Sequence, residues 1–330
     1  MKIASHLNPK LFEKDIEGAA TRDGFGEGLK DAGEKNQSIV VLSADLVEST
    51  RANIFADAYP DRFIEVGVAE QNMASVASGL AAVGKTPFIT SYAMFSPGRN
   101  WEQIRTTIAY NESNVKVIGA HSGISVGPDG ATHQAIEDLA IMRVMPNMIV
   151  IAPIDAVEAK KATLWAANYK GPVYIRLGRE KVPTITTVGT PFQIGQGGLW
   201  IEKDDDLPHT VGIITTGSMF HSAAAAAMEL EKKGIGASIL HLATIKPLDT
   251  ANVLKLAVNH DVIVTVEEHQ RYGGLGSAVA EFLSENRPTK IIRLGIDDQF
   301  GQSGEPEELL KHYGLDKDSI INKITGVFGV

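Results

Sequence analysis

Four segments of this sequence carry residue types that could do chemistry. The first is Phe63-Ile64-Glu65-Val66-Gly67-Val68-Ala69-Glu70-Gln71-Asn72-Met73. An apolar run ends there at a glycine, and Glu70 opens the next segment. A carboxylate so placed either complements a helix dipole or faces a crevice as a proton-handling group. The second is His121-Ser122-Gly123-Ile124-Ser125-Val126-Gly127-Pro128-Asp129-Gly130-Ala131-Thr132-His133, with two histidines, one aspartate and three glycines in 13 residues. It lacks the HxxxH spacing of a helical metal site, so a loop that holds hydroxyls or phosphate suits it better. A plain glycine-rich turn with surface histidines is the alternative. The third is Tyr92-Ala93-Met94-Phe95-Ser96-Pro97-Gly98-Arg99, whose aromatics face either a planar ligand ring or the core. The fourth is scattered: Arg22, Asp45-Leu46-Val47-Glu48-Ser49, and Arg179 at the end of Tyr174-Ile175-Arg176-Leu177-Gly178-Arg179. Taken singly, each of these is an ordinary solvated surface group.

The elements that must position these residues alternate in type. Short runs rich in β-branched residues predict buried parallel strands at Ser38–Ser43, Phe63–Val66, Val115–Ala120, Met148–Ala152 and Val173–Leu177. Helical spacing predicts helices at Thr21–Glu34, Glu70–Val83, Trp101–Tyr110, Ala135–Val144 and Asp155–Tyr169. Residues 181–208 break the pattern and include the charged run Glu202–Asp206, with room for one short strand near Leu199–Ile201. A second series follows. Its strands are Thr210–Thr215, Ala237–Leu240, Val262–Val266 and Ile291–Leu294; its helices are Ser218–Lys233, Thr250–Val258, Leu275–Asn286 and Glu305–His312. The expectation is an α/β protein of two domains, 1–190 and 209–330, with a linker at 191–208 and a mostly parallel sheet in the first.

Composition bounds the partners. At about 150 residues per domain, 330 residues suit two cores. Apolar residues are 44% and charged residues 22%, as in an ordinary globular protein. The smoothest apolar run, Ala223–Met228, has six residues, against about 18 for a membrane span. No apolar stretch follows the opening Met1-Lys2-Ile3-Ala4, so neither a secretory signal nor a membrane partner is expected. The absence of cysteine excludes disulfides and thiolate chemistry and fits a cytoplasmic location. A net charge of −9 argues against a nucleic-acid partner, while leaving room for a small anion held by local Arg and His.

Taken in order, Arg22, Ser43-Ala44-Asp45-Leu46, Gly67-Val68-Ala69-Glu70, Tyr92–Phe95, the His121–His133 loop with Gln134, and Arg179 resemble transketolase. The resemblance covers its pyrimidine-binding domain and then its C-terminal domain, and runs from about Arg22 to residue 324, including Gly295-Ile296-Asp297-Asp298-Gln299-Phe300-Gly301. It implies thiamine diphosphate as cofactor. Glu70 then matches the glutamate that hydrogen-bonds the cofactor's pyrimidine nitrogen, and the cofactor supplies the carbanion chemistry. The resemblance gives catalytic roles to Glu70 and His133. It assigns cofactor contacts to Asp45, Leu46, Tyr92 and Phe95, with Phe95 packed on the pyrimidine. It gives substrate contacts to Arg22, Ser49, His121, Asp129, His133 and Arg179, the two arginines forking a phosphate. Ser96-Pro97-Gly98, and tyrosine rather than phenylalanine at 92, depart from the full-length members.

The family's Gly-Asp-Gly segment, which holds the diphosphate through Mg²⁺, occurs nowhere in this sequence. The resemblance therefore implies the C-terminal half of a split transketolase. No metal ligand is expected on this chain; a separate N-terminal subunit would hold the Mg²⁺, in an α2β2 assembly that acts on sugar phosphates. Ala74, Ala77, Gly79 and Ala81 suit either a subunit contact or ordinary packing. Three other readings stand beside this one: 1-deoxyxylulose-5-phosphate synthase, the β subunit of a 2-oxo acid dehydrogenase, and an inactive binding or regulatory paralogue. His121 favours transketolase over the first, the His121–His133 loop disfavours the second, and Glu70 disfavours the third. Glu267-Glu268-His269 and Gly273-Gly274-Leu275-Gly276 read as a turn with an interdomain or interface role.

Overall fold

The computed structural model describes residues 1–13, 15–204 and 207–329. Asp205 and Asp206, within the expected linker, lie outside the described residues. Two sheets, each flanked by helices, form the frame. The first has seven strands in the order Thr244–Lys246, Ile149–Ile151, Val173–Arg176, Lys116–Ala120, Thr86–Tyr92, Ile39–Ser43 and Phe63–Glu65. All pair in parallel except Thr244–Lys246, which adds antiparallel to Ile149–Ile151. Lys116–Ala120 is fully buried and Thr86–Tyr92 buried except at Tyr92, which accounts for their apolar runs. Thr86–Tyr92 is absent from the sequence-based expectation, because Lys85, Thr86 and Pro87 blur its start. It lies between Ile39–Ser43 and Lys116–Ala120, and the Tyr92–Arg99 segment is the turn that leaves it.

After Ile39–Ser43 the chain passes to Phe63–Glu65 on one side, then to Thr86–Tyr92 on the other. That reversal opens a crevice at the carboxyl ends of these strands, where α/β sheets bind ligands. Helices Thr21–Lys35 and Ala156–Asn168 pack closely beside the sheet. A β-carbon on Gly24 would come within 1.8 Å of the Ala156 carbonyl oxygen, so this crossing demands glycine. The expected helix Trp101–Tyr110 begins as one and widens to i+5 hydrogen bonding over Ile104–Ala109. The expected Ala135–Val144 helix shortens to Asp138–Arg143.

The second sheet runs Lys2–Ile3, Gly198–Glu202, Ile235–His241, His209–Thr215, Val262–Gln270 and Ile291–Ile296. Its last four strands are parallel. Helices Met219–Lys232 and Lys317–Phe328 cover one face, the latter not foreseen, with Phe220, Leu230, Ile320 and Ile324 in the core. The chain does not divide as cleanly as bounds of 1–190, 191–208 and 209–330 would suggest. Lys2–Ile3 pairs with Gly198–Glu202, and Leu7 and Leu11 join the second core. Thr244–Lys246 in turn belongs to the first sheet. The expected linker also contributes Gly198–Glu202 to the second sheet. Ala74 and Ala77 face their own domain's core; of the four small residues on that helix, Gly79 is exposed.

Glu267, Glu268 and His269 are not in a turn. They lie inside the strand Val262–Gln270 and are buried. Glu267 accepts the N–H groups of Leu275 and Gly276 at 2.7 and 2.8 Å, which serves the free donors at the start of helix Leu275–Asn286. Burial raises its pKa above the ordinary carboxylate value.

Candidate active site

The site is built from the loops that leave the carboxyl ends of the first sheet. Phe63–Glu65 ends at Gly67, whose φ of 71° turns the chain toward helix Glu70–Ala82. Glu65 Oε1 accepts both the Gly67 N–H at 2.7 Å and the Asp45 N–H at 2.8 Å, so it ties two adjacent loops together. Glu70 is the first residue of the helix and only 1% exposed. Asn100 is buried beside it and donates to the Glu70 carbonyl oxygen and to Ser96 Oγ, both at 3.1 Å. Asn100 thus anchors the turn after Tyr92 against the start of the helix. In that tight turn, a β-carbon at Gly98 would meet the Met94 carbonyl oxygen at 1.9 Å.

The result brings Arg99 and Phe95 to Glu70. Arg99 Nη1 donates to Glu70 Oε2 at 2.7 Å, and its guanidinium carbon lies 4.7 Å from the Phe95 ring centre. Glu70 Oε1 has no hydrogen bond to a described residue. A buried carboxylate with one committed and one open oxygen, joined through an arginine to an aromatic ring, fits the ring-nitrogen end of a heteroaromatic cofactor. Arg99 lies within the quoted aromatic segment, yet nothing in its spacing connected it to a carboxylate 29 residues upstream.

An aromatic shelf continues from Phe95. Tyr92 stacks on Phe95 with centroids 5.9 Å apart, and on His121 at 3.9 Å. His133 presents its edge to Phe95 at 5.5 Å and to Tyr92 at 6.3 Å, and its Nδ1 meets Thr132 Oγ1 at 2.9 Å. His121 follows strand Lys116–Ala120 with a φ of 52° and is buried. Burial, with Arg22, Arg179, Arg51 and His133 nearby, pushes its pKa down to about 3. It is therefore neutral at physiological pH. Arg22 Nη1 lies 3.5 Å from His121 Nε2, and a guanidinium only donates. Nε2 is then the acceptor and Nδ1 carries the hydrogen. Nδ1 is buried and has no partner among the described residues.

Arg22 also donates to the Ser49 carbonyl oxygen at 2.8 Å. Burial and the neighbouring Arg51 lower its pKa from the ordinary value. Arg51, itself paired with Asp23 at 2.6 Å, adds to the positive field here. Arg179 Nη1 donates to the Val126 carbonyl oxygen at 2.5 Å and lies 3.9 Å from Asp129 Oδ1. Its Nε is 3.6 Å from Glu180 Oε1.

The structure therefore joins Glu70 with Phe95, then Tyr92, His121 and His133, then Arg22 with Ser49, and Arg179 with Asp129. Ser49 takes part through its backbone. Asp45 and Leu46 occupy the end of strand Ile39–Ser43. Among the described residues, no hydrogen bond or ion pair links the Asp45 side chain to the shelf. No group of three His, Asp or Glu among the described residues is placed to hold a metal ion. No helix among them is long and apolar enough to cross a membrane.

Residues 17–184 match the family model for the transketolase pyrimidine binding domain, and residues 203–320 match that for the transketolase C-terminal domain. A protein of Methanocaldococcus jannaschii, named provisionally as a transketolase C-terminal section, is 46% identical over 306 residues, covering 92% of this chain and 94% of that protein. A 6-deoxy-6-sulfo-D-fructose transketolase subunit from Clostridium sp. is 39% identical, covering 94% and 95%. Rat transketolase is 39% identical, but this chain spans only 49% of its length. A solved structure described as a split gene transketolase, inactive beta4 tetramer, superposes with a TM-score of 0.84 at 42% identity, covering 94% of this chain and 98% of that one.

Proposed function

This chain belongs to the transketolase family, and from that premise we propose that it is the C-terminal subunit of a split transketolase. With an N-terminal subunit it would transfer a two-carbon glycolaldehyde unit from a ketose phosphate to an aldose phosphate. The observation that carries this reading is Glu70. It is buried, has one open oxygen, and is linked through Arg99 to Phe95 at the head of the sheet's crevice.

The residues here suit the pyrimidine end of thiamine diphosphate. Glu70 Oε1 would hydrogen-bond the pyrimidine ring nitrogen, and Arg99 keeps the carboxyl group aimed. Phe95 and Tyr92 would cover the ring, with Asp45 and Leu46 at its edge. When bound, the cofactor supplies the carbanion that breaks and forms carbon–carbon bonds. His133 would move a proton at a sugar hydroxyl, and Asp129 would hold another hydroxyl. The neutral His121 would back the aromatic shelf beside the sugar. Arg22 and Arg179 would take the terminal anion, with Ser49 at its edge. A guanidinium recognises phosphate and sulfonate alike, and the Clostridium relative is named for a sulfo-sugar, so the assay must offer both.

Mg²⁺ and the diphosphate fall to the N-terminal subunit in this reading. Its support is that relatives matched over nearly their whole length carry the names transketolase C-terminal section, transketolase subunit and split gene transketolase. An α2β2 assembly in the cytoplasm completes the proposal. The test is co-purification with a chain that carries Gly-Asp-Gly, followed by a two-carbon transfer assay on the complex. Activity in the complex and none in this chain alone supports the reading. Turnover by this chain alone, with Mg²⁺ and cofactor, overturns it.

A further inference from the structure

The transketolase reading gives the second domain no task. The strand Val262–Gln270 nevertheless reaches the loop that carries His121 and His133. Glu268 is 5% exposed, and its Oε1 accepts the Ser125 N–H at 2.6 Å. Its Oε2 lies 3.4 Å from Ser218 Oγ, and its own carbonyl oxygen accepts from Arg176 Nη2 at 2.8 Å. Arg176 is held in turn by Asp138 at 2.8 Å, and Asp138 accepts from Tyr174 at 2.7 Å. The glutamate is thus fixed from both sides.

Its neighbours on the loop are equally constrained. Gly123 has a φ of 81°, and a β-carbon there would lie 2.2 Å from Glu268 Oε1. The loop has therefore left the space that the carboxylate fills. Two residues beyond Gly123 is Ser125, and the next residue, Val126, accepts from Arg179. Gln134, at the loop's far end, donates to the Ile124 carbonyl oxygen at 3.0 Å and to that of Gln302, in the second domain, at 2.9 Å. Among the described residues, the second domain hydrogen-bonds this segment at two points, and of these only the Glu268 one is a carboxyl oxygen on a backbone N–H.

We propose that Glu268 is a positioning residue. It holds the His121–His133 loop through Ser125 so that His121 and Arg179 converge on the anionic end of the sugar. The inference rests on the transketolase reading for its substrate, but the hold itself is a property of this chain. A short bond from a buried N–H to a buried carboxyl oxygen is worth enough that its loss reads as about tenfold.

Two measurements test this. In the first, hydrogen exchange is followed in the purified chain for Glu268→Ala and Glu268→Gln. Exchange across residues 122–129 should accelerate about tenfold in the alanine variant. It should stay near the parent rate in the glutamine variant, which keeps an acceptor oxygen, and strand Ile39–Ser43 should be unchanged in both. Equal exchange in parent and Glu268→Ala overturns the hold, as does acceleration of both segments together. In the second, the complex with the N-terminal subunit is assayed. Glu268→Ala should raise the KM for the anionic sugar about tenfold while the KM for thiamine diphosphate stays within about twofold, and Glu268→Gln should restore the sugar KM to within about threefold. An unchanged sugar KM in Glu268→Ala, or an equal rise in both KM values, overturns the positioning role. If the parent complex transfers no two-carbon unit, the transketolase reading fails, and the exchange data still judge the hold.

Discussion

Arg99 and Glu70 form a one-sided ion pair: the carboxylate is buried, while the guanidinium that meets it at 2.7 Å is 48% exposed. The arginine can therefore move or be screened without unfolding anything, whereas the glutamate is fixed by the helix it begins. Glu70→Ala in the assembled enzyme should lower kcat by about 10² or more, the range expected for a lost proton-handling group. Urea unfolding of the chain should change by about 1 kcal/mol or less, because Ala is a good residue for the first turn of a helix. Equal turnover at saturating cofactor would remove Glu70 from the site.

Arg179 should discriminate substrates by their anion. Arg179→Gln should raise the KM for a phosphorylated acceptor about 10-fold to 100-fold, as expected for a lost charge-assisted bond. It should leave an unphosphorylated aldehyde acceptor nearly unaffected. Steady-state kinetics with the two acceptors checks this, and an equal loss for both would place Arg179 in the loop's framework instead.

His121 should stay neutral across the whole physiological range. Its folded pKa of about 3 lies below the unfolded value of about 6.5, so the unfolded chain binds the extra proton first. The associated stability is complete above pH 6.5 and is lost as the pH falls toward 3. Between pH 6.5 and 4.5 this amounts to about 2–3 kcal/mol. Urea unfolding at those two pH values should show a larger loss for the parent than for His121→Asn. An imidazole NMR titration should show no inflection for His121 above pH 5.

Gly123→Ala should destabilise the chain by about 2 kcal/mol or more, since it combines a left-handed backbone with a clash against Glu268. Gly79→Ala is the control, because a β-carbon there meets nothing within 4 Å. Thermal or urea unfolding of the two variants should separate clearly.

Much of this architecture is legible in the sequence because burial on both faces leaves an unbroken apolar run. Ile39–Ser43, the Val117–Ala120 part of Lys116–Ala120 and the Val262–Val266 part of Val262–Gln270 announce themselves that way. Thr86–Tyr92 does not, since threonine, proline and serine interrupt it although the strand is buried. The loops with Glu70, His121 and Arg179 stand out by residue type and order. Their partners do not. Arg99 reaches Glu70, and Glu268 reaches Ser125 across 143 residues, through packing that no local spacing records. The charged triplet 267–269 looks like a turn on polarity alone. It lies in a buried strand because each carboxylate there finds backbone N–H groups to accept.

The antiparallel strand Thr244–Lys246, lent by the second half of the chain to the first sheet, sets a cost on cutting the chain between its halves. A chain ending near residue 190 would leave Ile149–Ile151 as a bare sheet edge, open to pairing with any other strand. It would also strand Lys2–Ile3 without Gly198–Glu202. The two halves are joined like clasped hands, each holding a piece of the other, so neither sheet is complete within its own half of the chain.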